Sequence, residues 1–272
     1  MSGSPAGTLA ARFAAEGLDW IVPDWAAPPT VQAFFTTRHG GVSTGVTASL
    51  DLGSSHPQRD SSDPEVIAEN RRRVARFLPA LPVYVEQVHG VAVAVIDAGN
   101  VRSARAHPPV ADAIVTRLPD APLAIRVADC LPVLLADRDG TVVAAAHAGW
   151  RGLAAGVLEA TIATMAVAPS RIVAWFGPAI GPAAFEVGPE VRAAFEATDR
   201  GAAAHFAAHR GDRLLADLPA LARRRLAVLG VCDVAGGLWC TVAAPERFHS
   251  WRRDRSPGRM AALIWRDVRR RG

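Results

Sequence analysis

The run LAIRVADCLPVLLADRDGTVVAAAH, residues 123–147, holds three apolar segments separated by breakers. Leu123–Ala128, Val133–Ala136 and Val142–His147 are each too short for a stable helix and are bounded by Asp, Pro or Gly, so they read as strands. Asp137-Arg138-Asp139-Gly140 joins the second to the third and has the composition of a hairpin turn. Outward from this core, Val83–Val88, Val91–Ile96 and Ala111–Thr116 precede it as strands, and Val173–Phe176 and Met260–Trp265 follow it. Helical spacing marks 64–78, with Val66, Ile67, Asn70, Val74 and Phe77 on one face. Ser62 and Glu65 stand at capping-box spacing before it, with Pro64 in the first turn. Leu153–Val167, Pro189–Ala197 and Leu214–Leu229 also read as helices, with a bend expected at Pro219. Strands outnumber helices and are often hairpin-linked. The expectation is an α/β (α+β) fold, a single-domain mixed-sheet α/β sandwich over 16–272, rather than a doubly wound parallel sheet. Residues 1–15 are expected to form a flexible N-terminal segment.

Every basic residue among the 272 is arginine: there are 30 of them and no lysine, against 26 Asp and Glu, for a net charge of +4. This excludes a Walker phosphate loop, a pyridoxal-phosphate Schiff base and a protein-kinase centre, each of which needs a lysine. No G-x-G-x-x-G is present either. Arg71–Arg73, Arg223–Arg225 and Arg269–Arg271 read as solvated faces, and with aromatics at 6% no stacking surface for nucleic acid is implied. Cys130, Cys232 and Cys240 form no disulfide pattern. There is no secretory signal and no run of the roughly 20 apolar residues that a membrane helix needs. A reducing cytoplasm, no membrane partner and no nucleic-acid partner are expected, with the protein a monomer or homodimer.

Chemistry-bearing residues recur at strand ends. His89 follows Val83–Val88, Cys130 follows Leu123–Ala128, and His147 closes Val142–His147. Each is soon followed by Gly or Pro, which lets the chain leave the core sharply. Two His and one Cys could hold a catalytic zinc with its fourth position open. The alternatives are a Cys130 thiolate nucleophile with His89 or His147 as base, or a buried free cysteine beside two satisfied histidines. Asp129 adjoins Cys130 and reads as a partner orienting the ligands or as a general acid/base. Arg38 and Ser43, around Gly40-Gly41, form the best anion loop, and Arg151 at the start of a helix forms a second.

The ordered motifs are more specific than any one of them. Thr36-Thr37-Arg38-His39-Gly40-Gly41-Val42-Ser43, Ser49-Leu50-Asp51-Leu52-Gly53, Glu86-Gln87-Val88-His89-Gly90 and Ala111-Asp112-Ala113 come first. Ala128-Asp129-Cys130, His147-Ala148-Gly149-Trp150-Arg151-Gly152, Gly177-Pro178-Ala179-Ile180-Gly181, Arg252-Arg253-Asp254 and Gly258-Arg259-Met260-Ala261 follow. From about residue 33 to 266 this series resembles the laccase-domain, or multicopper polyphenol oxidase, family, which includes purine nucleoside phosphorylases and peptidoglycan editing factor-like proteins. The resemblance implies that His89, Cys130 and His147 bind zinc, or copper in the alternative. It implies phosphorolysis of adenosine, inosine, guanosine and methylthioadenosine, with adenosine deamination beside it. Peptidoglycan-precursor hydrolysis and copper-dependent polyphenol oxidation are the alternatives. A multicopper oxidase needs a type 1 copper and a trinuclear cluster, and the eight scattered His here contain no His-x-His pair, which favours zinc. Asp129, Cys130 and His89 are then the expected catalytic residues, and Arg38, Ser43, Gln87 and Arg151 the expected substrate or phosphate contacts. Asp51, His249 and Trp251 depart from the family pattern.

Overall fold

The computed structural model describes residues 7–54, 62–255 and 258–267. Two sheets pack face to face. One has six strands in the order Asp233–Gly236, Ile172–Phe176, Leu131–Asp137, Val143–Ala148, Ala113–Thr116, Val93–Ile96. The other has four, in the order Val31–Phe35, Met260–Arg266, Leu123–Val127, Val83–Tyr84. Hairpin pairing makes the centre of the larger sheet antiparallel, with Val133 opposite Ala146 and Ala136 opposite Val143. Parallel pairs close both of its edges.

The period of two along each strand assigns the layers. In the larger sheet Leu134, Ala136, Val143, Ala145 and Ile114 point toward the second sheet and meet Phe35, Ile125 and Ile264. Their neighbours Val133, Leu135, Ala144, Ala146 and Val115 point the other way, onto the helices Val157–Met165 and Leu218–Val228. The outward residues of the smaller sheet, Phe34, Leu263 and Trp265, pack on Phe13, Val74 and Phe77 of the flanking helical layer. The strands read as unbroken apolar runs because both faces are buried. This is the mixed α/β sandwich that the sequence implies.

Several local expectations change. A helix spans Leu9–Ala15, capped by Thr8 Oγ1 and burying Leu9 and Phe13, where the sequence implies a flexible segment; residues 1–6 lie outside the described residues. Val31–Phe35 is a strand that the sequence reading does not identify. Asp63, rather than Ser62, caps Pro64–Ala75 by accepting from the Glu65 N–H, while Ser62 Oγ donates to Asp51. Val83–Val88 contracts to Val83–Tyr84. The expected helix Leu153–Val167 is two, Trp150–Ala155 and Val157–Met165, divided at Gly156 with φ 104°. Leu214–Ala216 is a strand, and Asp217 caps the helix Leu218–Val228 with Pro219 in its first turn. Pro219 therefore starts the helix and does not bend it. Arg269–Arg271 and part of the polar loop before the helix at 64 lie outside the described residues.

Candidate metal centre

The chain passes from the smaller to the larger sheet between Leu123–Val127 and Leu131–Asp137. Asp129 makes that crossing in the left-handed region, at φ 87°, and Cys130 projects beside it. His147 stands one residue from the end of the adjacent strand, opposite Pro132. His89 lies in the loop beyond Val83–Tyr84, also at positive φ, 62°. Two sheets and a loop thus converge on one point. The ligand atoms of His89, Cys130 and His147 all lie within 4.8 Å of one another. Cys130 Sγ is 3.7 Å from His89 Nε2. Zinc–sulfur and zinc–nitrogen bond lengths in a tetrahedron require that separation to be about 3.6 Å, so the donor set fits such an ion.

Asp112 builds this arrangement. Its fully buried carboxylate accepts from His147 Nδ1 at 2.8 Å and from the N–H groups of Val88, His89 and Gly90 at 3.1, 2.9 and 2.6 Å. One carboxylate therefore fixes the ring of His147 and the strained backbone that presents His89. Burial would raise the Asp112 carboxyl, but the hydrogen bonds from His147 and the main chain hold it below the ordinary range. Gly149 completes the fit: a Cβ there would meet His89 Cδ2 at 2.9 Å and Cys130 Sγ at 3.0 Å.

The electrostatics favour ligation. Burial pushes the Cys130 thiol up, but His147 and His89 outweigh it and bring it down to about 6. Burial pulls His147 down, but Cys130 and Asp112 raise it to about 9. Without a metal, Cys130 and His147 form a thiolate–imidazolium pair; a cation takes the proton's place between them.

The trio opens into a cavity of about 400 Å³, within the usual small-molecule range of roughly 300–1,000 Å³. Trp150, Ile180, Phe185, Leu218 and Trp251 supply apolar walls, and Arg126, Arg252 and Arg259 supply charge.

The other expected site residues divide. Asp129 lines the cavity, but its carboxylate accepts from Thr241 Oγ1 at 2.5 Å and the Arg252 N–H at 2.6 Å. It joins chain segments, and Asp112 takes the ligand-orienting role expected of it. Gln87 reaches the cavity wall with its amide spanning the main chain of Arg126, so it fastens that strand. Arg38 is turned away: its guanidinium donates to the carbonyls of Ala48, Pro245 and Val46. Ser43 is buried against Asn70. Arg151 stacks on Trp150, 4.4 Å from the ring centre, outside the cavity lining. Arg38, Ser43 and Arg151 all lie outside the cavity lining. Of the departures from the family pattern, Asp51 is satisfied by the N–H groups of Gly53 and Arg259, and buried His249 donates from Nε2 to Leu50 O. Trp251 alone of these enters the cavity. Asp112 stood within a quoted motif, but nothing in its apolar surroundings signals four hydrogen bonds. Arg252 stood only within the ordered motif Arg252-Arg253-Asp254, with no role of its own.

A family model described as multi-copper polyphenol oxidoreductase laccase matches residues 32–267. The chain is 50% identical to the purine nucleoside phosphorylase YfiH of Escherichia coli, over 90% of this chain and 98% of that protein. It is 48% identical, with the same coverage, to a purine nucleoside phosphorylase of Pseudomonas aeruginosa. A Neisseria meningitidis crystal structure superposes with a TM-score of 0.85 at 46% identity, covering 92% of this chain and 99% of that one.

Proposed function

The chain belongs to the multi-copper polyphenol oxidoreductase laccase family, and from that premise we propose that it is a zinc-dependent purine nucleoside phosphorylase with adenosine deamination as a second activity. The carrying observation is a small-molecule cavity with a His-Cys-His cluster in its wall, in a chain half identical to a purine nucleoside phosphorylase along nearly its whole length. Among the described residues this is the one cluster of three or more His, Cys, Asp or Glu arranged to hold a metal. A single three-ligand centre supports zinc over the several coppers of a polyphenol oxidase.

In phosphorolysis an oxygen of phosphate bonds to C1′ of the ribose as the bond from C1′ to the base nitrogen breaks. The bonding pair stays with the base, which takes up a proton. Trp150, Ile180, Phe185 and Leu218 offer flat and aliphatic surface for the purine. Asp112 keeps His147 in the tautomer that presents Nε2 to a metal. Bound zinc supplies Lewis acidity at the cavity wall without redox chemistry. The nucleoside and phosphate are the proposed small-molecule partners. Among the described residues no helix is long and apolar enough to cross a membrane.

The test is to incubate the metal-replete protein with adenosine, with and without phosphate. Adenine and ribose 1-phosphate appearing only with phosphate support phosphorolysis, and inosine supports deamination. The absence of both products refutes the proposal. The thiolate–imidazolium pair of Cys130 and His147 favours a second reading, a cysteine-dependent hydrolase acting on a cell-wall precursor. That reading requires turnover to survive a strong chelator and to vanish in Cys130→Ala.

A further inference from the structure

The phosphorylase reading leaves phosphate without a holder, since Arg38 and Ser43 are engaged elsewhere and Arg151 stands outside the cavity lining. With no lysine in the chain, the permanently charged side chain left for a multiply charged oxyanion is arginine, which meets phosphate as a planar fork. Three arginines line the cavity. Arg126 is 7% exposed, and its terminal nitrogens donate to the carbonyls of Gly53, Ser54 and Val85. Arg259 is half-buried and lies over the Trp251 ring, 5.6 Å from its centre.

Arg252 differs. Only Nη1 is engaged, with the carbonyls of Glu186 at 3.0 Å and Ala184 at 3.4 Å. The guanidinium lies 5.6 Å from the centre of the Phe185 ring, and among the described residues no carboxylate pairs with it. Its neighbour Arg253 is bound to Asp254 and to the carbonyls of Thr241, Val242 and Phe248.

The position of Arg252 is set from the metal side. Its N–H donates to Asp129 Oδ2 at 2.6 Å, and the other oxygen of Asp129 accepts from buried Thr241. Asp129 directly precedes Cys130, so one carboxylate ties the turn that presents the thiolate to the residue that presents the guanidinium. We propose that Arg252 binds the phosphate co-substrate, and that Asp129 is a positioning residue acting through it. This rests on the phosphorylase reading.

The test titrates the metal-loaded protein with inorganic phosphate by calorimetry and measures phosphorolysis against phosphate and nucleoside separately. Metal content and melting temperature are followed for every variant. Arg252→Ala is expected to weaken phosphate binding, and to raise KM for phosphate, by roughly 10- to 100-fold, the value of a charge-assisted contact. KM for the nucleoside should hold. Arg252→Lys should recover part of the loss. Asp129→Asn should shift KM for phosphate in the same direction by less, with metal retained. Arg252→Ala and Arg252→Gln proteins that fold, carry metal and bind phosphate like wild type overturn the proposal and leave the phosphorylase reading standing. A wild-type protein that neither binds phosphate nor forms ribose 1-phosphate overturns both. Phosphate binding that depends on Arg252 without any ribose 1-phosphate keeps the site and refutes the phosphorylase reading.

Discussion

Replacing Asp112 by Asn exchanges one oxygen for an NH2 group and separates the roles assigned to that carboxylate. Oδ1 accepts from His147 Nδ1 and the His89 N–H, and Oδ2 from the N–H groups of Val88 and Gly90. An amide has one acceptor oxygen. Whichever way it turns, its NH2 faces two donors. If the oxygen stays with the main chain, His147 can accept from the amide only by moving its proton from Nδ1 to Nε2, the atom required for the metal. If the oxygen stays with His147, the turn that presents His89 loses two hydrogen bonds. Each buried donor left unmatched costs about 1–3 kcal/mol, so Asp112→Asn should destabilise the metal-free protein by about 2–6 kcal/mol. Metal affinity should fall by a further 10- to 100-fold, roughly, as for loss of a carboxylate behind a histidine ligand. Denaturant unfolding of the metal-free protein gives the first quantity, and competition with a chromophoric chelator gives the second. An Asp112→Asn protein that holds zinc as tightly as wild type refutes the reasoning.

Gly149→Ala should leave the backbone unstrained, since φ is −61° and ψ 153°, yet it places a methyl 2.9 and 3.0 Å from His89 and Cys130. It should weaken metal binding at least about tenfold with little change in melting of the metal-free protein, which chelator competition and calorimetry can check. Thiolate ultraviolet absorbance of the metal-free protein should appear around pH 6, and an onset near pH 9, or no change in Cys130→Ser, contradicts the ion pair. The linkage has two signs. The lowered Cys130 contributes stability above its unfolded pKa that is lost as pH falls through about 6. The raised His147 contributes stability below its unfolded pKa that is lost as pH rises through about 9, so the pair acts mainly between these limits. Arg38→Ala should cost about 1–3 kcal/mol of stability with KM for phosphate unchanged, as steady-state kinetics can show; a raised KM would return Arg38 to the site.

The sandwich was legible because strands buried on both faces read as continuous apolar runs, as in Leu131–Asp137 and Val143–Ala148. His89, Cys130 and His147 were legible for a related reason: polar ligands next to Gly or Pro at the ends of such runs have few structural uses. Failures arose where local chemistry admits two outcomes. Leu214–Ala216 continues the apolar pattern of the following helix, and only pairing with Phe206–Ala208 and Glu186–Val187 makes it a strand. Gly40-Gly41 resembles an anion loop, but Arg38 spends its donors on main-chain carbonyls. Asp112 and Arg252 are placed by contacts 22 and 123 residues away in sequence, which no spacing rule reaches.

The most direct test of the metal centre is elemental analysis of the purified wild type beside His89→Ala, Cys130→Ala and His147→Ala, with folding verified for each. One zinc per wild-type chain, lost from all three variants, is the expected result. A wild type that takes up no zinc when it is supplied, or a variant that keeps the full complement, contradicts it.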